Sequence, residues 1–221
     1  MAEPRLGVFG GTFNPIHVGH LVFVESLRER LALDRVLLVP SGVPPHKGRQ
    51  GLAEPLHRYA MVSLAVAGHP ALQVSAVEVE RPGPAYSVDT LERLAADCPA
   101  SRLVFLMGSD TFLDLPTWRT PERLGTLATL AVGVRAGAAF DPASPASQVV
   151  LARLGRSGWR RLPPESPEAL APGDVALVEA CSLPVSAREL RARLARRESV
   201  RYLVPPAVAD YIAQHRLYTA G

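Results

Sequence analysis

Between an apolar run ending at Phe9 and a helical pattern beginning at His20 lies Gly10–His20, GGTFNPIHVGH. Backbone N–H groups of a glycine turn and of a helix N-terminus favour an anion, so Gly10, Gly11, Thr12 and Phe13 form a candidate phosphate cradle. His17 and His20 stand three residues apart, on one side of a first helical turn, and aim two imidazole donors at the same anion. Such a pair suits charge stabilisation during phosphoryl or nucleotidyl transfer. The stretch is not G-x-G-x-x-G, nor is it H-E-x-x-H, because Val18 occupies the Glu position, and G-x-x-x-x-G-K-[ST] is absent from the chain. A capping or packing role would explain either histidine alone, but explains poorly why both flank a glycine turn at a strand terminus.

Four further segments carry chemically useful groups. In PSGVPPHK, Pro44 and Pro45 restrict a loop on which His46 and Lys47 present two donors, Lys47 being a compact charge suited to phosphate. Lys47 is the only lysine among 24 Lys and Arg residues. In RPGPAYSVDTL, Tyr86 stands beside the open N–H groups of a helix start, an arrangement that can pack a flat ring and bind a carboxylate. Ser87 as a plain helix cap fits equally well. In MGSDTFLDLPTW, Gly108 permits close backbone approach and Asp110 offers acceptors for ribose hydroxyls, while Trp118 by itself reads as packing. In VSARELR, Ser186 and Glu189 form a capping box, and Ser186 with the first-turn N–H groups can hold terminal phosphates, Arg191 adding charge one turn in. An ordinary capped helix with a solvated Arg face is compatible with that reading.

The elements that must position these residues alternate. Leu6–Phe9, Arg35–Val39, Leu72–Val79, Arg102–Met107, Thr129–Val134 and Asp174–Glu179 read as strands, and His20–Leu33, Leu56–Ala67, Ser87–Ala96, Ala187–Arg197 and Pro206–His215 as helices. Pro206 suits a first-turn position. Ala136–Ser147 and Pro163–Pro172 read as exposed connections. Repeated strand, helix, strand order predicts an α/β fold: a Rossmann-like, doubly wound parallel sheet flanked by helices, with ligands outside the carboxyl ends of the strands. One domain, 1–221, is expected, with the core at 1–183 and a C-terminal helical part at 184–221.

Composition narrows the class. Hydrophobic residues make up 48% and charged residues 20%, which excludes general disorder. No run reaches the roughly 18 apolar residues of a membrane span, and the N-terminus lacks a signal-peptide layout. Cys98 and Cys181 sit in no C-x-x-C, so neither a disulfide framework nor a cysteine zinc site is expected, and a cytoplasmic location with two thiols is. The net charge of +3 is too weak a field to imply nucleic acid. It is also local: Arg188–Arg201 holds six Arg and two Glu, on and after the proposed phosphate helix, a pattern that favours small anionic nucleotides.

His17-Val18-Gly19-His20 resembles the (H/T)-x-G-H signature of the nucleotidyltransferases, and the chain from GGTFNPIH to YIAQHRLY is similar to the bacterial nicotinate-nucleotide adenylyltransferases over nearly its full length. The resemblance implies adenylyl transfer from ATP to nicotinate mononucleotide, with His17 and His20 as the catalytic pair. It places Gly10, Gly11, Thr12, Phe13, His46, Lys47, Gly108, Asp110, Ser186 and Arg191 on ATP. Tyr86, Ser87, Asp110 and Trp118 fall on the acceptor, Trp118 stacking on the nicotinate ring. Mg²⁺ is implied as a companion of the ATP phosphates with no dedicated protein metal site, and no nucleic-acid or membrane partner is implied; a homo-oligomer stays open. Ala85 and Ser87 stand where the family has Ser and Thr, a change that loses one hydroxyl, and Ala187 and Arg188 stand where it has Ser and Thr, which removes the hydroxyl at both positions. A phosphopantetheine or nicotinamide mononucleotide adenylyltransferase, or a non-catalytic nucleotide-binding protein, is the alternative.

Overall fold

The computed structural model describes residues 3–43, 51–135, 139–161, 170–171 and 173–219. The strands are β1 (Arg5–Gly11), β2 (Arg35–Pro40), β3 (Leu72–Val74), β4 (Arg102–Gly108), β5 (Thr129–Arg135), β6 (Arg160–Arg161) and β7 (Val175–Ala180). The helices are α1 (Val18–Arg30), α2 (Pro55–Val66), α3 (Ser87–Asp97), α4 (Ser109–Asp114), α5 (Pro121–Leu127), α6 (Pro145–Arg153), α7 (Ala187–Ala195) and α8 (Pro206–Gln214), with a 3-10 turn at Leu115–Thr117. The sheet runs β3-β2-β1-β4-β5-β7-β6, every neighbouring pair parallel. This is the doubly wound arrangement the sequence predicts, with the order reversing between β1 and β4.

Strand side chains alternate between two layers, as period-two geometry demands. Phe9, Val104 and Leu106 pack with Val24 and Leu27 of α1, Met61 and Val62 of α2, and Val208 and Ile212 of α8. Leu6, Val8, Phe105 and Met107 pack on the other face with Leu91 and Leu94 of α3, Phe112 of α4, Leu124 of α5 and Val150 of α6. Pro opens α2, α5, α6 and α8 within their first turns, where the missing N–H costs nothing. Arg28 and Arg30 close α1 against the negative end of its dipole. No helix of the described residues is long and apolar enough to cross a membrane.

Two expectations need correction. The strand expected over Leu72–Val79 ends at Val74: Ser75 N–H still donates to Leu38 O at 2.9 Å, but Glu80 N–H then donates to Ala76 O at 2.9 Å and the chain turns inward. That turn buries Glu78, whose Oε1 accepts from the Thr90 hydroxyl at 2.6 Å. The connection expected over Ala136–Ser147 gives way at Pro145 to α6, where Ser144 caps the helix and Ser147 is fully buried. Within its described residues, Trp159 Nε1–H anchors the segment to Pro142 O at 2.9 Å. Most of the Pro163–Pro172 connection lies outside the described residues.

Candidate active site

A cleft of about 690 Å³ opens where the strand order reverses, within the range of pockets that hold small ligands. Its walls come from Phe9–Phe13 at the end of β1, His17, Gly19 and His20 at the start of α1, Phe105–Gly108 at the end of β4, and Ser186 and Ala187 at the start of α7. Tyr86, Ser87, Asp110, Asp114, Trp118 and Arg119 line it as well. Parallel strands ending together deliver these distant segments to one place.

His17 is the N-cap of α1, in extended backbone, and each imidazole accepts a main-chain bond through Nδ1: His20 N–H donates to His17, and His17 N–H donates to His20, both at 3.3 Å. An accepting Nδ1 carries no proton, so each neutral ring holds its proton on Nε2. The rings stack with centroids 3.6 Å apart and planes 20° from parallel, and Phe13 meets His20 edge-on at 5.2 Å. His17 is only 5% exposed. Two aligned donors are thus held at the cleft wall by the backbone they cap. Gly19 leaves room for this packing: an added Cβ would stand in tight contact, 3.0 Å from His17 Nδ1 and 3.2 Å from Leu183 O. The helix terminus itself offers an anion less than expected: Val18 N–H already donates to Leu203 O at 3.0 Å.

The other expected residues divide. Gly10, Gly11, Thr12, Phe13, Gly108, Asp110, Ser186, Tyr86, Ser87 and Trp118 all line the cleft with the histidines. Gly108 needs restating: a Cβ there would meet nothing within 4 Å, so its lack of side chain leaves room in the cleft rather than relieving a clash. Ser87 is not the cap of α3; Tyr86 holds that position without a side-chain bond, and Ser87 is the first helical residue. Ser186 does cap α7, its Oγ accepting from Glu189 N–H at 3.1 Å. Arg191 is not among the described cleft-lining residues; its Nη1 donates to Asn14 O at 2.7 Å. His46 and Lys47 lie outside the described residues.

Several supporting residues were not singled out from sequence. Arg58, fully buried on α2, donates from Nε to Ala53 O at 2.9 Å, from Nη1 to Thr12 O at 2.8 Å and Ser41 Oγ at 3.2 Å, and from Nη2 to Gly42 O at 2.8 Å. Burial lowers its pKa from the usual range, opposed by Tyr218, Glu54 and Glu78. Glu78 stands across the same peptide: burial raises its carboxyl, while hydrogen bonds from Thr90 and the Gly42 main chain and the charges of Arg81 and Arg58 pull it back. Together the two charges grip the loop leading away from β2. Arg119 lies over the Tyr86 ring at 4.9 Å, with Nη1 3.7 Å from Asp89, whose tighter partner is Arg81 at 2.6 Å. In sequence Arg58 looks like any charged helix residue, and nothing marks Arg119 except its place beside Trp118.

Asp110 and Asp114 bring carboxylates to the cleft, but among the described residues no three His, Cys, Asp or Glu side chains form a group that could hold a metal ion. This donor set fits a magnesium ion whose ligands come mainly from phosphate oxygens and water.

The paired imidazoles stand at a strand-to-helix turn in the crevice of a Rossmann-like sheet, and the cytidylyltransferase-like family model matches residues 8–193. The "Probable nicotinate-nucleotide adenylyltransferase" of Thermomicrobium roseum is 42% identical, with 97% of this chain and 91% of that protein covered. The protein of the same description from Thermus thermophilus is 40% identical over 97% and 99% of the two chains. The chain belongs to the nicotinate-nucleotide adenylyltransferases of the cytidylyltransferase-like family. Its fold is shared with the solved Plasmodium falciparum nicotinic acid mononucleotide adenylyltransferase complexed with NaAD, at a TM-score of 0.71, 18% identity and 97% coverage of both chains.

Proposed function

We propose that the protein transfers the adenylyl group of ATP to nicotinate mononucleotide, giving deamido-NAD and pyrophosphate in NAD biosynthesis. A phosphate oxygen of the mononucleotide attacks the α-phosphorus of ATP; the bond from that phosphorus to the bridging oxygen breaks, and pyrophosphate leaves with its electron pair. Such a displacement asks the protein for positioning and charge stabilisation and needs no covalent nucleophile. The Nε2–H donors of His17 and His20 stabilise the α-phosphate oxygens as charge builds on them. Asp110 holds ribose hydroxyls, and Ser186 and the start of α7 receive the leaving phosphates. Trp118 and Tyr86 hold the pyridine ring between them, with Ser87 and Arg119 toward its carboxylate. A magnesium ion carried on the ATP phosphates, with few ligands from the protein, would supply charge neutralisation there.

The observation that carries this reading is the convergence, in one cleft, of the backbone-locked histidine pair with the Tyr86, Trp118 and Arg119 group. Support from family comes from relatives such as that of Thermomicrobium roseum. The test is pyrophosphate release from ATP and Mg²⁺ with nicotinate mononucleotide, nicotinamide mononucleotide or phosphopantetheine as acceptor. Fastest release with nicotinate mononucleotide is expected; release only with phosphopantetheine, or with none of the three, overturns the proposal.

A further inference from the structure

The C-terminal part of the chain grips the histidine motif at several points. Asn14, three residues before His17, is only 7% exposed and uses its polar groups in four directions. Its Oδ1 accepts from Tyr218 OH at 2.7 Å and from Ala53 N–H at 3.0 Å, its Nδ2 donates to Gly51 O at 2.9 Å, and its carbonyl oxygen accepts from Arg191 Nη1 at 2.7 Å. Leu203 O accepts from Val18 N–H at 3.0 Å. Tyr218 follows α8, with a positive φ of 63° that turns the chain. Burial holds its phenol above the usual tyrosine range, so it stays a donor at any working pH. The helix that brings it there is seated on α2: Val208 and Ile212 join the buried core with Met61 and Val62, and Tyr211 OH meets His57 Nδ1 at 2.9 Å.

Asn14 is thus the knot at which the β1–α1 turn, the segment entering α2, the phosphate-side helix α7 and the C-terminal tail are tied. Within it, the Tyr218 hydroxyl is one of two donors to a single side-chain oxygen, and its own anchoring is remote from the cleft. We propose that Tyr218 and Asn14 are positioning residues: the C-terminal tail completes the active site by fixing the Asn14–Val18 turn, and hence the two imidazoles, relative to α7. Neither residue touches substrate in this account. The consequence for catalysis rests on the adenylyl-transfer reading; the placement of the imidazoles does not.

Tyr218→Phe keeps the ring and its packing and removes only the donor. The expected result is a fall in kcat of about tenfold, since small misplacements of reacting groups are costly, with the KM for nicotinate mononucleotide within about twofold of wild type. In parallel, NMR of the folded protein should show the imidazole signals of His17 and His20, assigned by substitution, displaced in Tyr218→Phe. They should be unmoved in Tyr202→Phe, whose side chain is 84% exposed. Unchanged His17 and His20 signals together with an unchanged kcat overturn the proposal. A loss of activity matched by general unfolding, with the signals of all histidines collapsing, overturns it as well, since that is a merely structural effect. If the wild type makes no dinucleotide, the adenylyl-transfer reading fails, and the imidazole signals alone decide the positioning claim.

Discussion

Replacing Arg58 with methionine keeps an unbranched apolar stem in part of the same space and removes every donor that ties three loops together. The guanidinium spans Thr12 O, Ala53 O and Gly42 O at 2.8, 2.9 and 2.8 Å, with Ser41 Oγ at 3.2 Å. Without it, three main-chain carbonyls lose a hydrogen bond in or near a buried site, at a cost of about 1–3 kcal/mol each. Methionine restores some packing and removes the penalty of burying a cation, which keeps the net loss near the low end of the sum, about 3 kcal/mol. Urea unfolding at pH 7 should show that loss as a lower midpoint with an unchanged m-value. Arg58→Lys should recover little of it, because one ammonium cannot reach three divergent acceptors as a planar fork does. A loss below about 1 kcal/mol in the methionine variant, or near-complete recovery with lysine, would refute the idea that the fork geometry holds these loops.

Glu78 gives a pH-dependent test. Its folded pKa is raised, chiefly by burial. The folded protein therefore holds that proton more tightly than the unfolded chain, and the associated stability is present below the unfolded carboxyl pKa and lost as pH rises through the folded value. Glu78→Gln, which can still accept from Thr90 and Gly42, should gain stability relative to wild type between acid and neutral pH, as read by thermal midpoints across that range; a pH-independent difference would count against it. Trp118→Ala should raise the KM for nicotinate mononucleotide by up to about tenfold, the worth of one aromatic stacking contact, and leave the KM for ATP nearly unchanged. His17→Ala should lower both activity and stability, the latter by about 1 kcal/mol, because the same ring is the N-cap of α1; activity lost with stability intact would show that the cap contributes nothing.

The sheet was legible because six of its strands are short Val- and Leu-rich runs spaced by helical patterns, and the position of GGTFNPIHVGH between the first strand and helix located the crevice. The elements missed are α4 and α5, of 6 and 7 residues, too few turns to display a period, α6, of 9 residues, which opens inside a stretch that reads as an exposed connection, and β6, of 2 residues. Tyr86 and Asp110 are candidates from their chemistry at a helix start and a strand end, Trp118 only through resemblance, and the cleft contains all three. What sequence could not reveal was the support. Arg58 and Glu78 are charged residues that look solvent-facing, and only the tertiary fold buries them on either side of Gly42. Tyr218 lies 204 residues from Asn14, so nothing local links them. Arg191 reads from sequence as a phosphate ligand one turn into α7; its additional bond to Asn14 O spans 177 residues, so nothing local signals it.

The central claim is that the locked histidine pair carries adenylyl transfer to nicotinate mononucleotide. The most direct measurement follows the α-phosphate of labelled ATP through incubation with that mononucleotide and Mg²⁺, for wild type and His20→Ala. Label is expected in the dinucleotide with equimolar pyrophosphate for wild type, and a rate lower by about 10²–10³-fold for His20→Ala, the usual worth of one transition-state donor. Label that stays out of the dinucleotide in the wild type, or a His20→Ala rate close to it, would contradict the account.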